Sequence, residues 1–314
     1  MLRYIALRIG AMIPLAFLVL LIVFTLGKAA PGDPIRMMYM TAALEQTDIS
    51  EQQIQEQRDR YGLNDPFFVQ FTDYLGNVLK GDLGVSITEN RDVLPLIANR
   101  FVVSAQLGLM AVVALIVAGI PLGIIAALKR NSWVDYLIVG GSLFIRTVPV
   151  YVLAPLILWL FVLKFPIMDV PRGWRGMFST NAILPALLLM MFPLAVIIRQ
   201  MRASMLEVLG NEYVRTARAK GLSEYKVTVG HVLRNALTPV TTELGLVVTG
   251  LITGSIFVES IFGIPGYGRL AVDALLKRDY PLMLGCTLFG AFLVMVSTLI
   301  VDLVYPLLDP RVKL

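Results

Sequence analysis

Six apolar stretches constrain the fold of this chain more than any other feature. They cover residues 5–26, 101–128, 134–163, 182–198, 237–262 and 282–308. A helix needs about 20 mostly apolar residues to cross the hydrocarbon core of a bilayer. The stretches therefore predict an all-α integral membrane protein with six spans. Several of them contain proline, and we expect the helices to continue through these residues because neighbouring helices satisfy the freed backbone groups. Examples are Pro121, Pro149, Pro155, Pro185 and Pro193.

The composition supports the same class of protein. Of the 314 residues, 57% are hydrophobic and only 16% are charged, whereas about a quarter of the residues in a soluble domain are charged. The single cysteine, Cys286, and the single histidine, His231, exclude a disulfide framework and a Cys/His metal cluster. We expect Cys286 to be a buried packing residue. The net charge of +5 is attributed to membrane topology, since no basic stripe alternates with stacking aromatic residues.

Lysine and arginine residues in the short loops indicate the topology. An even number of spans places both termini on one side, and the side richer in these residues is the cytoplasmic one. The side that carries the termini also carries Lys129, Arg130 and a basic cluster at 199–234, so both termini are expected in the cytoplasm. The first stretch is expected to be a retained span rather than a signal peptide, because it is long and Lys28 is a poor neighbour for a cleavage site.

The segment at 28–98 is expected to lie outside the membrane and to be ordered. Ser50 resembles the start of a capping box that begins a short polar helix. Asp65 and Pro66 predict an N-cap and a first helical position, and Gly81 should end the helix that follows. That helix has one apolar face, formed by Phe67, Phe71, Tyr74, Leu75 and Val78. The face is either a surface for an external partner or packs on the chain's own membrane helices, and we favour the second interpretation.

The longest polar interval of the second half separates the fourth and fifth stretches. Residues 212–222 within it are polar and helix-forming, and Gly221 separates this helix from a second one that runs from Glu224 to about Leu237. Asn211 and Ser223 are suitable caps for the two helices. The interval is either a docking surface for a soluble partner or a solvated hairpin, and composition alone favours the hairpin.

An ordered series of short motifs runs along the whole chain. They are Ala30-Pro-Gly-Asp-Pro34, Tyr61-Gly-Leu-Asn-Asp-Pro66, Gly81-Asp-Leu-Gly84, the run from Glu212 to Leu222 with His231-Val-Leu-Arg-Asn-Ala-Leu-Thr-Pro239, Glu259-Ser-Ile-Phe-Gly-Ile-Pro-Gly-Tyr-Gly-Arg269, Arg278-Asp-Tyr-Pro281, Val301-Asp302 and Asp309-Pro-Arg311. In these motifs the chain resembles the permease subunits of binding-protein-dependent ABC importers, within the oligopeptide, dipeptide and nickel group.

The resemblance implies a type I importer permease in a bacterial or archaeal cytoplasmic membrane. A second, similar permease would complete a pore of pseudo-twofold symmetry. Two cytoplasmic ATPase subunits would hold ATP and Mg, and an extracytoplasmic substrate-binding protein would dock on the other side. No cofactor is expected on this chain, and the sequence has no G-x-x-x-x-G-K-[ST] phosphate loop. The implied organisation is a first helix at 1–27, an external segment at 28–98 and a five-helix core at 99–314 that contains a coupling loop at 205–235.

The resemblance also implies a role for the polar interval. In this family the corresponding "EAA" helix inserts into a groove on an ATPase subunit and couples ATP-driven closure to the permease. The residues that match this coupling helix are Glu212, Tyr213, Arg215, Thr216, Ala217, Arg218, Ala219, Lys220, Gly221 and Leu222.

Ionisable residues inside a membrane span are costly and are functional candidates for that reason; three are singled out here, Arg146, Glu243 and Asp302. Arg146 and Glu243 stand where the family is expected to have small or apolar residues. They either form a structural ion pair between the third and fifth spans or line the translocation path and meet the charged ends of a peptide. Asp302 matches the family's C-terminal motif and is interpreted as a capping or packing residue.

Residues 263–281 alternate glycine, proline, aromatic and charged side chains. They form either a gate-side loop that faces the binding protein or a turn that covers the helix ends. The candidate contacts are Gly263, Pro265, Gly266, Tyr267 and Arg269. A phosphate-binding role is rejected, since the glycines follow a membrane span rather than a strand.

The function implied is ATP-driven import of di- or oligopeptides by alternating access, with no covalent chemistry on this chain. Nickel, a nickel chelate and oligosaccharides remain open as cargo. An intramembrane enzyme would need a nucleophile and base or paired carboxylates facing a cavity, and an ion-coupled carrier usually shows internal repeats. Neither pattern is convincing here, and neither explains residues 212–222.

Overall fold

The computed structural model describes residues 2–29, 51–60, 62, 64–167, 171–252 and 256–308. Most of these residues are helical, as expected where hydrocarbon offers the backbone no hydrogen-bond partner. The helices are α1 (Leu2–Ala29), α2 (Glu51–Arg60), α3 (Phe67–Leu79), α4 (Val93–Leu128), α5 (Trp133–Thr147), α6 (Val150–Leu158), α7 (Thr180–Leu209), α8 (Glu212–Ala219), α9 (Glu224–Val227), α10 (Arg234–Ile252), α11 (Ile256–Ile261), α12 (Tyr267–Leu276) and α13 (Tyr280–Leu308). π-Helical turns at Trp159–Lys164 and Thr228–Leu233 continue α6 and α9.

Four helices in the described ranges are long and apolar enough to cross a membrane. They are Gly10–Lys28 of α1, Val93–Leu128, Thr180–Leu209 and Tyr280–Ile300 of α13. They correspond to the first, second, fourth and sixth predicted stretches, so the prediction of an all-α membrane protein is confirmed. Trp133–Thr147 and Val150–Lys164 meet the same criterion only as a bent pair, which gives up to five spans.

The third predicted stretch is not one straight helix. Its two halves, α5 and α6 with the π-helical turn, are bent by 104°. Val148 is extended, with ψ of 120°, because a residue before proline is pushed out of the helical region. Pro149 has no N–H to continue the helical hydrogen bonds. The expectation that the helix continues through Pro149 is therefore wrong. The other four prolines do lie inside helices: Pro121, Pro155, Pro185 and Pro193.

The fifth predicted stretch corresponds to α10 and α11, and residues 253–255 between them lie outside the described part. Neither helix alone meets the criterion for a span, so the total of six stays a prediction. Helical structure continues from Glu224 to Ile252, with Pro239 inside α10. The second helix of the polar interval, predicted from Glu224 to about Leu237 and running towards the fifth stretch, is continuous with α10.

Some predictions fall outside the described residues. These are the cap at Ser50, the position of Tyr61 and the motifs at 30–34 and 309–311. Asp302 lies on α13, but its side chain is not described. The short polar helix expected after Ser50 is present as α2.

The chain divides into two compact units. One consists of residues 1–102 with 266–295, and the other of residues 103–265 with 296–314. The segment at 28–98, expected to form a division of its own, shares the first unit with α1, α12 and the start of α13.

In the first unit, α3 packs on α1 through aromatic rings. The ring centroid of Phe24 lies 5.4 Å from those of Phe67 and Phe71, and that of Phe17 lies 5.7 Å from Phe71. Edge-to-face pairs of this kind contribute about 0.5–1.5 kcal/mol beyond the burial of their area. The apolar face of α3 thus packs on the chain's own first helix, which confirms the favoured interpretation of that face.

The ends of α3 match the sequence prediction closely. Pro66 rather than Asp65 is the N-cap, with ψ of 147°, so the helix begins one residue later than predicted. At the other end Gly81 has φ of +81°, and the Asp82 N–H donates to the carbonyl of Asn77 over 2.9 Å. This is a Schellman ending, and the prediction that Gly81 ends the helix is confirmed.

A buried carboxylate fixes the loop before α4 to the start of α13. Asp279 accepts hydrogen bonds from the Ser86 hydroxyl at 2.6 Å and from the Thr88 hydroxyl and N–H at 2.7 and 2.9 Å. The N–H groups of Ile87 and Leu282 donate to the same carboxylate at 3.3 and 3.2 Å. These five charge-assisted hydrogen bonds replace the hydrogen bonds to water that the carboxylate loses on burial. Together with a buried apolar cluster that joins Val93 and Ile97 to α12 and α13, they hold residues 266–295 in the first unit.

Replacing Asp279 by alanine should destabilise the first unit strongly. Several buried donors would lose their acceptor, and each costs about 1–3 kcal/mol. We expect a clear fall in the melting temperature of the purified protein and faster proteolysis of residues 81–92. The control is Asp273→Ala, which removes only a partly exposed carboxylate 3.7 Å from Arg269. Equal melting temperatures for the two variants would contradict the anchoring role of Asp279.

In the second unit, α4 and α7 approach closely at two glycines. A Cβ atom on Gly119 would lie 3.0 Å from Cγ2 of Ile197. A Cβ atom on Gly123 would lie 2.5 Å from Cβ of Met201 and 2.9 Å from the carbonyl oxygen of Ile198. The G-x-x-x-G spacing places both glycines on one helix face, which is the usual way for helices to pack closely in membranes.

Substitution of Gly123 by valine should therefore separate α4 from α7. Overpacking of this kind costs about 1–3 kcal/mol, and a backbone carbonyl cannot rotate away as a flexible side chain can. The melting temperature of Gly123→Val, measured in the same detergent, should lie well below that of wild type. Gly140→Val is the matched control, because a Cβ atom on Gly140 meets nothing within 4 Å. If both variants melt together, α4 and α7 do not approach as closely as described.

Candidate functional site

The polar hairpin, residues 210–233, connects α7 to α10 through α8 and α9. α8 begins after Asn211 and α9 after Ser223, which confirms the predicted cap positions. Neither side chain makes a capping hydrogen bond, so the predicted positions are correct but the expected side-chain caps are absent.

Gly221 forms the turn between α8 and α9. Its φ is +77°, a conformation that costs other residues about 1–2 kcal/mol. Its N–H donates to the carbonyl of Arg218 at 2.9 Å, and the Leu222 N–H donates to that of Ala217 at 3.4 Å. The prediction that Gly221 ends the helix is confirmed. A Cβ atom there would meet nothing within 4 Å, so the turn is open to approach from outside the chain.

One face of α8 is buried in the core of the chain itself. Val214 is 0% exposed and Ala217 is 6% exposed, and both belong to the buried cluster that includes residues of α7, α9 and α10. Ala217 belongs to the predicted coupling set, but its side chain is buried within the chain. The role of Val214 was missed, although it is the only aliphatic residue larger than alanine between Leu209 and Leu222.

The opposite face of α8 is exposed and carries mixed charge. Arg215 pairs with Glu212 at 3.0 Å, and Arg218 pairs with Glu224 across the turn at 2.8 Å. The remaining exposed residues of the predicted set are Tyr213, Thr216, Ala219, Lys220, Gly221 and Leu222.

Tyr213 fixes α8 to the start of α10. The amide group of Asn235 donates a hydrogen bond of 2.8 Å to the Tyr213 hydroxyl. The inner face, the turn and this bond together hold α8 in one orientation.

Residues 263–269 form a turn and a helix start. Gly263 has φ of +63°, and the Ile264 N–H donates to the carbonyl of Glu259 at 2.8 Å, which ends α11 in a Schellman motif. Gly266 and Tyr267 are buried. The Tyr267 hydroxyl donates to the carbonyl of Cys286 at 2.6 Å, and burial raises the pKa of this hydroxyl.

This burial favours the interpretation as a turn over the helix ends for most of the segment. Pro265 is partly buried, and among the five candidate contacts Arg269 keeps the most polar exposed surface, with its side chain 41% exposed.

Arg146 and Glu243 are not joined by an ion pair in the described part of the chain. The Arg146 guanidinium instead lies 5.4 Å from the ring centroid of Phe192 on α7, a favourable cation–π distance. Glu243 is partly buried on α10. A role for either residue in the translocation path stays a prediction.

Comparison with known proteins identifies the family. Residues 119–314 match the family described as "binding-protein-dependent transport system inner membrane component", and residues 1–108 match the N-terminal region of such membrane components. The chain belongs to this family of permeases. It is a multi-pass membrane subunit of a transport system rather than an enzyme.

Several curated relatives match the permease over its full length. It is 37% identical to the dipeptide transport system permease protein DppB of Bacillus subtilis over 100% of this chain and 99% of the relative. Identity to the DppB protein of Escherichia coli is 35% over 100% and 99% of the two chains. The permease is also 37% identical to the oligopeptide transport system permease protein OppB of Haemophilus influenzae, over 100% of this chain and 100% of the relative.

A solved structure shares the fold. The crystal structure of an amino acid ABC transporter with histidines aligns with a TM-score of 0.50 and 16% sequence identity, covering 68% of the permease and 94% of that chain. This agrees with the predicted fold class of an ABC importer permease.

Two buried polar pairs of the permease escaped the sequence analysis. Glu259 on α11 is 0% exposed and accepts a hydrogen bond of 2.7 Å from the Ser104 hydroxyl on α4. Asp135 on α5 pairs with Arg202 on α7 through two contacts of 2.7 Å. Glu259 stands in a motif that was noticed without being given a role. Asp135 and Arg202 stand at ends of apolar stretches, where charged residues are common and attract no notice.

The two faces of α8 should respond differently to substitution. Val214→Ala removes two buried methyl groups and should lower stability by about 1–2 kcal/mol. Arg218→Gln breaks an exposed pair and should change stability by less than about 1 kcal/mol. Thermal unfolding of the purified permease distinguishes the two effects. If Arg218→Gln costs more than Val214→Ala, the assignment of the inner and outer faces of α8 is incorrect.

Proposed function

We propose that the permease is one of two membrane subunits of an ATP-driven peptide importer, and that α8 is the helix through which a cytoplasmic ATPase drives it. The observation that carries this proposal is the two-sided construction of α8. Its inner face is anchored at Val214 and Ala217, while its outer face and the open turn at Gly221 remain accessible.

This construction suits a mechanical contact. A helix that moved independently of the membrane helices could be displaced by a partner without any effect on them. α8 follows α7 directly and is bonded to α10 through Tyr213 and Asn235. A displacement of α8 is therefore transmitted to two membrane helices. The charges of its outer face form only local pairs, which exchange for pairs with a partner at little cost.

The proposed assembly contains two permease subunits, two ATPases on the cytoplasmic side and a substrate-binding protein on the other. ATP and Mg belong to the ATPases. The excess of lysine and arginine at 199–234 supports a cytoplasmic hairpin, with both termini on the same side of a bacterial or archaeal cytoplasmic membrane. Arg269, the most exposed polar member of the 263–269 set, is the candidate for contact with the binding protein.

Peptides are the proposed cargo, because the relatives quoted above are named for dipeptide and oligopeptide transport. A zwitterionic peptide presents one charge of each sign at its ends. Arg146 and Glu243 are retained as candidates to meet those ends during alternating access. They do not pair with each other in the described part of the chain, which argues against the structural ion pair.

The coupling proposal is tested with the complete assembly reconstituted in lipid. ATP hydrolysis, with and without cargo-loaded binding protein, is compared between wild type and Gly221→Asp. Aspartate tolerates the left-handed conformation better than most residues and clashes with nothing in the chain, so the permease should still fold and assemble. We expect cargo-stimulated hydrolysis to be lost, since the new charge occupies the turn that faces the ATPase.

Gly230→Asp is the matched control. It adds the same charge in the same hairpin, at a glycine with open space around it and no positive φ, and should retain stimulation. Full stimulation in Gly221→Asp would refute α8 as the coupling helix. Uptake of a radiolabelled dipeptide by the wild-type assembly tests the cargo, and uptake of Ni²⁺ or an oligosaccharide in its place would refute the peptide assignment.

A further inference from the structure

The Asp135–Arg202 pair joins α5 to the helix that carries α8. Nε and Nη2 of Arg202 each lie 2.7 Å from one carboxylate oxygen of Asp135, the bidentate arrangement in which both partners are held in plane. The Asp135 side chain is 3% exposed and that of Arg202 is 27% exposed. The Asn131 N–H donates a further bond of 3.0 Å to the same carboxylate. This contact is therefore rigid in a way that the exposed pairs of α8 are not.

A second contact lies at the other end of α5. The Arg146 guanidinium lies over the ring of Phe192, also on α7. The two contacts are 11 residues apart on α5 (135 to 146) and 10 residues apart on α7 (192 to 202). At 1.5 Å per residue these separations are about 16 Å and 15 Å. α5 thus lies antiparallel to α7 with matched contacts at both ends.

The helix is interrupted directly after the second contact. Val148 is extended and Pro149 donates no backbone hydrogen bond, so no helical ladder crosses this point, and the axis bends by 104°. Beyond the bend, α6 contacts a different element: the rings of Tyr151 and Phe257 on α11 lie 5.7 Å apart. α5 therefore packs on α7, whereas α6 packs mainly on α11 and to a smaller extent on α7.

We propose that Asp135 and Arg202 are positioning residues for transport, which fasten α5 to α7 so that a displacement of α8 is delivered to the bend at Val148–Pro149. This proposal rests on the proposed function of α8. In it, α5, α7 and α8 move as one body, and the angle between α5 and α6 changes during the transport cycle. The pair touches neither cargo nor nucleotide and acts only through the helices that it joins.

Spin-label distances in the wild-type assembly test the movement directly. Labels are placed on exposed positions of α5, α6 and α7, namely Leu137, Leu156 and Ile183, after Cys286→Ala removes the native thiol. Distances are compared in lipid between the nucleotide-free and vanadate-trapped states. We expect the Leu137–Leu156 distance to change and the Leu137–Ile183 distance to stay constant. The proposal would be overturned if the Leu137–Ile183 distance changed and the Leu137–Leu156 distance did not.

Variants of the pair test its necessity. Arg202→Lys keeps the charge and removes the bidentate geometry, while the double variant Asp135→Asn with Arg202→Gln removes both charges and leaves neither unpaired. Each variant is first checked for assembly with the ATPases. In an assembled variant we expect basal ATP hydrolysis to persist and the amount of cargo transported per ATP to fall about fivefold or more. The nucleotide-dependent change in the Leu137–Leu156 distance should also be lost. Unaltered transport per ATP in an assembled variant would overturn the proposal.

The matched control is Arg199→Gln. Arg199 is an exposed cation one turn before Arg202 on α7, so this variant removes the same charge from the same helix without breaking the pair. It should keep wild-type transport per ATP. Failure of the proposed function would look different: wild type would show no cargo-stimulated hydrolysis and no nucleotide-dependent change in either distance. If cargo stimulates ATP hydrolysis in wild type but the Leu137–Ile183 distance changes and the Leu137–Leu156 distance does not, only the role of the Asp135–Arg202 pair is refuted.

Discussion

The backbone of an apolar segment must find its hydrogen-bond partners within the protein, because hydrocarbon supplies none. The described part of this permease meets that requirement with helices, and its mechanics follow from the places where helices end. Gly81, Gly221 and Gly263 each end a helix with φ between +63° and +81°, which satisfies the last carbonyls locally. Pro149 interrupts a helix without such a closure. Of these four positions, only Pro149 lies inside an apolar stretch.

The second unit is closely packed at one place and interrupted at another. α4 and α7 are in close contact, whereas the helix is broken at Pro149. Gly119 and Gly123 remove the side chains that would separate these helices, and interiors packed this closely transmit displacement rather than absorb it. In the proposed cycle, a displacement of α8 is passed to α7 and its close-packed neighbours. We propose that it is taken up at Val148–Pro149, where the helix is interrupted.

Features that depend on nearby residues could be predicted from the sequence. The turn at Gly221 and the apolar face of α3 required only capping rules and helical periodicity. The bend could be predicted only in part. The sequence shows Pro149, but whether a helix continues through a proline depends on neighbours that are distant in sequence. The pairing of Asp135 with Arg202 joins positions 67 residues apart, and no local pattern distinguishes these residues from the exposed charges that commonly flank a membrane span.

The charged residues of the permease thus serve two purposes that burial distinguishes. The pairs on the outer face of α8 are exposed, connect positions three to six residues apart and contribute little to stability, so a partner can replace them. Asp135, Glu259 and Asp279 are buried and take their donors from other elements. Exchanging such partners would leave a buried charge unpaired, which is far more costly. The buried groups therefore fix which elements pack together, and the exposed ones leave the proposed coupling surface free to engage and release a partner.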